Sequence, residues 1–317
     1  MRIGVDLGGT KIEAIALDDH GAVLERQRVA TPVDDYVSTV RAISSLVSEL
    51  EASLGKSASV GVATPGAIAP ETSAPGSGSF AGKLKNANSV CLNGRPLQTD
   101  LEDALQRPVR MANDADCFAL SEATDGAAAG ASVVFGVIVG TGTGGGVVIN
   151  GQLLRGANAI AGEWGHNPLP WPAPEELPGP DCYCGKQGCI ETFLSGPGLA
   201  RDHASHSSHA GQIQDAAQIV ALAESGDAMA EASLQRYEHR MARALASVIN
   251  LLDPEVIVLG GGLSQITRLY ESVPALWGEY VFSTGVESEP VRTRLVPPKY
   301  GDSSGVRGAA WLWPLAD

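Results

Sequence analysis

The chain is short of three things, and each shortage excludes a class of protein. Cysteine occurs only five times in 317 residues. So sparse and odd a set builds no disulfide framework, and with no export signal it points to a reducing cytoplasm. Long apolar runs are missing too: nothing approaches the roughly 20 residues that cross a bilayer. The start, MRIGVDLGGTK, has no basic segment leading into a long apolar one. Positive charge is the third shortage. The 22 Lys and Arg against 36 Asp and Glu leave a formal charge of −14, which argues against nonspecific binding to nucleic acid or to anionic membranes. Any phosphate must therefore be met by backbone N–H groups, single basic residues and metal. What is abundant is consistent with a globular chain of one large or two ordinary domains: 44% hydrophobic residues, and 38 glycines that signal tight turns or backbone-lined sites.

An internal echo organises the chain. GVDLGGTKIEAIALDDHGAVLERQRV reads as an apolar strand, a Gly-rich turn, an alternating strand, a polar turn and a third strand. From residue 136, GVIVGTGTGGGVVINGQLLRG repeats that grammar, with Gly140 in the place of Gly8 and Asn150-Gly151 as a hairpin turn. A strand follows the glycines in both copies, which excludes a P-loop or a dinucleotide fingerprint, since both need a helix there. Two such copies suggest two similar α/β halves offering N–H groups to a nucleotide. Elsewhere, YVSTVRAISSLVSELEASL over 36–54 has helical spacing, SVGVATPG and PVRMAN read as strands, and DADCFALSEATDG as a helix. Residues 71–89 read as a long loop, 215–251 as one helical stretch, and EVIVLG as a strand leading through Gly260, Gly261 and Gly262 to another helix. The tail GDSSGVRGAAWLWPLAD starts a short helix capped by Asp302 or Ser303, with Trp311 and Trp313 as its packing.

Several side chains stand out. Asp6 ends the first strand beside glycines, where a carboxylate is costly unless paired or bound to metal. Asp114 stands where a strand meets a helix, a place that suits a simple cap as well as a ligand-handling base. Glu163 and His166 are three apart, on one side of a helical turn. CYCGKQGC places Cys182, Cys184 and Cys189 together, one ligand short of a structural zinc, and His166 is the nearest histidine upstream. Reduced packing is a poor alternative because residues 170–190 hold few apolar groups. HASHSSH spaces His203, His206 and His209 by three but lacks acidic support, so it reads as a solvated turn. Cys91 and Cys117 read as reduced and partly buried.

Taken in order, DLGGTK, NDAD, GTGTGGG, GEWGH, CYCGKQGCIE and VIVLGGG resemble the ROK family of bacterial sugar kinases, from Met1 to the final helix. AGEWGHNPLPW, KNANS and GDSSGVRGAAWLWP bring the resemblance nearest to its fructokinases (mannofructokinases). It implies an α/β, actin/hexokinase-like (ribonuclease H-like) fold with an active-site cleft between two domains, here 1–112 with 302–317, and 113–301. It implies Asp114 as the base for a sugar hydroxyl, with Asn113, Glu163, His166, Glu191 and Asn88 on the sugar. It implies Asp6 orienting Mg²⁺ under ATP, whose phosphates meet Gly8, Gly9, Thr10, Lys11, Gly140, Thr141 and Gly142, with adenosine at Gly260, Gly261 and Gly262. One structural Zn²⁺ falls to His166, Cys182, Cys184 and Cys189. The function implied is phosphorylation of a free hexose, D-fructose at its 6-hydroxyl first, then mannose, glucose or N-acetylmannosamine, by a cytoplasmic protein that has homodimerisation as its family habit. Two other classes are disfavoured. ROK repressors carry a DNA-binding domain ahead of DxGGTK, where this chain has five residues. A noncatalytic zinc-stabilised module has no use for both Gly-rich turns and both aspartates.

Overall fold

A computed structural model describes residues 1–70, 81–87, 89–206, 215–282 and 289–314. In chain order it contains β1 (Arg2–Leu7), β2 (Lys11–Leu17), β3 (Val23–Ala30), α1 (Tyr36–Leu54), β4 (Ser59–Thr64), β5 (Ala67–Ile68), β6 (Leu84–Lys85), α2 (Leu97–Leu105), β7 (Val109–Asn113) and α3 (Asp114–Thr124). There follow β8 (Val133–Val139), β9 (Thr143–Ile149), β10 (Gln152–Leu153), α4 (Ile190–Leu194), α5 (Gly196–His206), α6 (Ala216–Glu224), α7 (Ala228–Leu252), β11 (Val256–Gly260), α8 (Leu269–Leu276), β12 (Arg294–Val296) and α9 (Ser304–Trp311). Asp35, which accepts the Ser38 amide, and Gly55, left-handed at φ 63°, bound α1 where its apolar spacing starts and stops.

The echo in the sequence is a duplication of topology. One five-stranded sheet runs β3-β2-β1-β4-β7 and the other β10-β9-β8-β11-β12, the same order counted from the first strand of each. The hairpin strands β1, β2 and β3 pair antiparallel, whereas β4 and β7 add in parallel. β8, β11 and β12 are likewise parallel. Parallel strands are covered on both faces, hence the continuous apolar runs of β1, β4 and β11.

The chain forms two compact units: Met1–Gly130 with Gly146–Ala161 and Asp302–Asp317, and Ala131–Gly145 with Gly162–Gly301. The expected division after residue 112 falls inside β7, before its last residue Asn113, whereas α3 packs against α9 and lies in the first unit. Glycine makes that packing close. A Cβ on Gly4 of β1 would lie 2.0 Å from the Val306 carbonyl oxygen, one on Gly61 of β4 1.8 Å from that of Ala309, and one on Gly308 1.6 Å from that of Cys117 in α3. Trp313, as expected, packs at the end of α9, donating its Nε1–H to Val60 O at 2.6 Å under the Arg110 guanidinium.

Three local expectations change. The helical stretch over 215–251 is two helices, broken at Gly226 (φ 94°) and restarted by Asp227, which accepts the Met229 and Ala230 amides. The segment after Gly261 is a 3-10 turn, Gly262–Gln265, and the next helix starts only at Leu269. HASHSSH is no solvated turn at its start, because α5 runs to His206. Its Asp202 pairs with Arg236 and Arg240 of α7 at 2.7 Å each, and His203 is buried with Nδ1 3.0 Å from Ser233 Oγ. His209 lies outside the described residues.

The glycine contacts generate a test. Gly308→Ala must move backbone, and is expected to lower the unfolding free energy by about 1–3 kcal/mol or more. Gly278→Ala, where a Cβ meets nothing within 4 Å, is the control and should shift it by about 0.5 kcal/mol at most. Urea titrations of both variants check this.

Candidate active site

In the first unit, parallel pairing brings carboxylates to one edge of the sheet. Asp6 is level with Ala63 of β4, and Ala63 with Ala112 of β7, so Asn113 and Asp114 emerge next to the end of β1, two strand spacings or roughly 10 Å across. Asn113 takes the capping role: its Oδ1 accepts the Ala115 amide at 2.8 Å while its Nδ2 donates to Gly66 O at 3.2 Å. Asp114, the first residue of α3, receives the same amide at 2.8 Å and keeps a solvent-exposed face. The helix thus has its cap without Asp114, whose second oxygen remains available to a ligand.

Burial raises the Asp6 carboxyl to about 6, and the charges of Asp114 and Glu13 push the same way against Lys11. Burial also raises Asp114, against the hydrogen bonds from Ala115 and Asn113. Like charge crowded around Asp6 is the setting that a divalent cation relieves, so the residues present fit Mg²⁺. Beside it, the β1–β2 turn closes through the Gly8 amide on Lys11 O at 3.1 Å, and Thr31 Oγ1 donates to Gly8 O at 2.7 Å. Gly9 and Thr10 are exposed. Lys11 is partly committed, 3.7 Å from Glu13. Glu13, only 3% exposed, also takes Arg26 at 3.3 Å and Arg28 at 2.7 Å. These two arginines, unremarked in the sequence, offset the charge of Glu13 beside the turn.

In the second unit, the β8–β9 turn holds Gly140, Thr141 and Gly142. The Glu191 carboxylate accepts the Thr143 amide at 2.9 Å, and a Cβ on Gly142 would meet it at 2.7 Å. The residue expected on sugar is therefore tied to the turn expected on phosphate. The short helical turn Trp164–His166 lies on the start of β9: Trp164 donates its Nε1–H to Gly144 O at 3.1 Å, and a Cβ on Gly165 would lie 2.0 Å from Thr143 O. Glu163 precedes that turn, and its carbonyl accepts the His166 amide at 3.2 Å. Gly261 is required by the fold itself, with φ 80° and a Cβ position 2.3 Å from Val139 O, whereas Gly262 has open space beside it. Asn88 lies outside the described residues.

The donor atoms of His166, Cys182, Cys184 and Cys189 all lie within 4.8 Å of one another. Nδ1 of His166 is 3.5 Å from Cys182 Sγ, and Cys184 Sγ is 3.6 Å from Cys189 Sγ. A tetrahedron with zinc–sulfur bonds of about 2.3 Å has edges of about 3.8 Å, so this set fits zinc. Backbone bonds brace it: Ile190 N to Asn167 O at 2.8 Å and Leu169 N to Gly188 O at 2.9 Å. The segment between His166 and Cys182 is anchored by Glu176. Against its burial, hydrogen bonds from Arg243 and Arg240 hold that carboxyl down to about 2. Tyr183, inside the cysteine loop and not singled out from sequence, places its hydroxyl 3.0 Å from His166 Nε2. Desolvation, then the charges of Glu191 and Glu163, raises that hydroxyl to about 12.

Comparison with known proteins identifies the family. The ROK family model matches residues 2–315. An N-acetyl-D-glucosamine kinase of Vibrio cholerae is 38% identical over 98% of this chain and 99% of its own. Among solved structures, a ROK hexokinase from Thermus thermophilus superposes with a TM-score of 0.80 at 31% identity, covering 98% of this chain and 96% of that one. A ROK glucokinase from Streptomyces griseus, solved with glucose and AMPPNP, gives 0.74 at 28% over 99% of both chains. The chain belongs to the ROK family of sugar kinases. The nearness to fructokinases drawn from local motifs has no counterpart in these relatives. No helix among the described residues is long and apolar enough to cross a membrane.

The environment of Asp6 sets a pH-dependent cost. A carboxyl raised from 3.8 to about 6 on folding costs nothing while protonated in both states. The cost grows as pH rises from about 4 to about 6 and stays constant above. Asp6→Asn is therefore expected to stabilise the ligand-free protein above pH 6 by about 1–3 kcal/mol and to leave it unchanged near pH 4. Thermal melts across that range check it, and identical melting of the two proteins at pH 7.5 overturns it.

Proposed function

We propose that the chain transfers the γ-phosphoryl group of ATP to the 6-hydroxyl of N-acetyl-D-glucosamine, releasing ADP. The observation that carries the reaction is Asp114, a carboxylate with raised pKa beside Asp6 whose capping duty is already met by Asn113. The sugar is supported by full-length identity of 38% to a kinase of that name. Fructose, favoured by the local motifs, is the competing arm of the test.

In this reading Asp114 takes the proton of the attacking hydroxyl as its oxygen bonds to phosphorus and the bond to ADP breaks. A raised pKa brings the base closer to a neutral working pH, where it is ionised and still an effective acceptor. Mg²⁺ bound at Asp6 supplies charge neutralisation on the phosphates. Gly8, Gly9 and Thr10 offer N–H groups and a hydroxyl to phosphate, and the family resemblance gives Gly140, Thr141 and Gly142 a phosphate role and Gly260, Gly261 and Gly262 an adenosine role. Glu163 and Glu191 accept sugar hydroxyls, with Asn113 as a further partner and Asn88 retained from the family resemblance. The zinc at His166, Cys182, Cys184 and Cys189 has four protein ligands and so no open position; its role is structural. A cytoplasmic location and a homodimer complete the reading.

ADP release with a panel of N-acetylglucosamine, N-acetylmannosamine, glucose, mannose and fructose tests the sugar. N-acetylglucosamine is expected to exceed fructose in kcat/KM by about tenfold or more, and fructose ranking first overturns the assignment. Asp114→Asn is expected to lose about 10²–10⁴ in kcat while still binding ATP and sugar. Retention of more than about a tenth of turnover reduces Asp114 to a helix residue. Metal analysis should find one zinc per chain, and Cys184→Ser should raise the sugar KM by about 10–100-fold and the ATP KM far less. Zinc-free, fully active protein sinks the metal assignment.

A further inference from the structure

A cavity of about 860 Å³ in the second unit contains none of the residues assigned to ATP, sugar or zinc. Its walls are the segment 173–180, α4, α5, α7 and Tyr280. The size suits a small molecule, for which sites run roughly 300–1,000 Å³. Two helices turn a polar face to it at spacings of three and four: Arg201, Asp202 and Ser205 from α5, and Arg236, Arg240 and Arg243 from α7.

Four arginines thus line one cavity in a chain of formal charge −14. Only two carboxylates pair with them. Asp202 takes Arg236 and Arg240 at 2.7 Å each, and Glu176 takes Arg240 at 2.7 Å and Arg243 at 2.8 Å. Every oxygen of the two acids already accepts from an arginine. Glu175 also lines the cavity but is exposed and forms no ion pair among the described residues. Donors are left over. Arg201 is bonded only to the Thr192 carbonyl, and Arg243, 7% exposed, keeps an Nε–H with no acceptor among the described residues. A cluster that served only to fasten helices would be better matched, because unpaired buried charge and unmet donors both cost stability.

We propose that this cavity is an anion site, which holds a small molecule by a phosphate dianion. Two arginines in excess of the paired carboxylates match the charge of about −1.5 to −2 that a phosphate monoester carries near neutral pH. Guanidinium forks also fit phosphate oxygens two at a time. Arg201 and Arg236 reach the ligand from facing helices, while Arg240 and Arg243 remain on Glu176. The occupant joins α5 and α7 to the 173–180 segment, and the site stands whichever sugar the protein phosphorylates.

Inorganic phosphate is the probe, titrated calorimetrically into the full chain without nucleotide, sugar or added Mg²⁺, at an ionic strength fixed with chloride. The wild type is expected to bind it with a Kd of about 1 mM or below. Arg201→Gln and Arg236→Gln should each raise that Kd about tenfold. His239→Glu, which places a carboxylate at an exposed wall position, should do at least as much without touching the ion-paired cluster, and so carries the test if either arginine variant folds poorly. Thermal melts without phosphate establish that the variants are folded. Phosphate bound at the Gly-rich turns would survive all three substitutions, so unchanged affinity in folded variants overturns the proposal. So does a wild type that binds no phosphate up to about 10 mM, or one from which acetate displaces phosphate at equal concentration.

Discussion

The close seat of α9 is the constraint on which the first unit depends. Gly4, Gly61 and Gly308 remove the side chains that would hold α9 away from β1, β4 and α3. Closeness of this kind leaves no slack, because a methyl group inserted at any of these points has nowhere to go but into a carbonyl. The consequence for the site is positional. β1 carries Asp6 and α3 begins with Asp114, so one helix braces both carboxylates from behind. Ser304, at the start of α9, donates to Glu122 of α3 at 2.7 Å, and Gly305 passes 4.0 Å from an Asp6 carboxylate oxygen measured at its Cβ position. The spacing of the two acids is thus set by backbone contacts, which are stiffer than side-chain packing.

Much of this was legible in the sequence because it was written locally. The strand–turn–strand echo announced itself through glycines, alternation and Asn150-Gly151, and both sheets carry it in the same strand order. The bounds of α1 were visible because Asp35 and Gly55 are cap residues of the usual kind. The cysteine loop stood out by spacing, and the four donors do converge. What stayed hidden depends on partners far along the chain. The assignment of α3 to the first unit rests on a helix that begins at residue 304, and no local pattern around 113 reports it. Asp202, through Arg236 and Arg240 of α7, extends α5 across a polar stretch that looked like a turn. Tyr183 sat in plain view between two cysteines, yet spacing alone does not encode its orientation toward His166.

Charge is handled locally throughout an acidic chain. Glu13, level with Asp6 across the β1–β2 pair, would repel it unopposed, and three cations converge on Glu13. The repulsion is thereby softened. Glu176 is treated in the opposite way: two arginines of α7 clamp it, which fastens the stretch leading from His166 to the cysteines. A buried acid so paired does more to specify a loop conformation than to add net stability. The stretch leading to the cysteines is therefore held by α7, which also packs against α4, the helix that carries Glu191.

The composition of the first unit carries a consequence in time. It is assembled from stretches that begin at residues 1, 146 and 302, whereas the second unit has all its residues by position 301. Synthesis proceeds from the N-terminus, and domains fold as units once their parts are present. The sheet made first therefore lacks the cover of its glycine-lined face until α9 has been made. The second unit, begun later, has the means to finish earlier. During that interval the face of β1 and β4 that α9 covers stays open, and Asp6 and Asp114 gain their common brace only as α9 arrives.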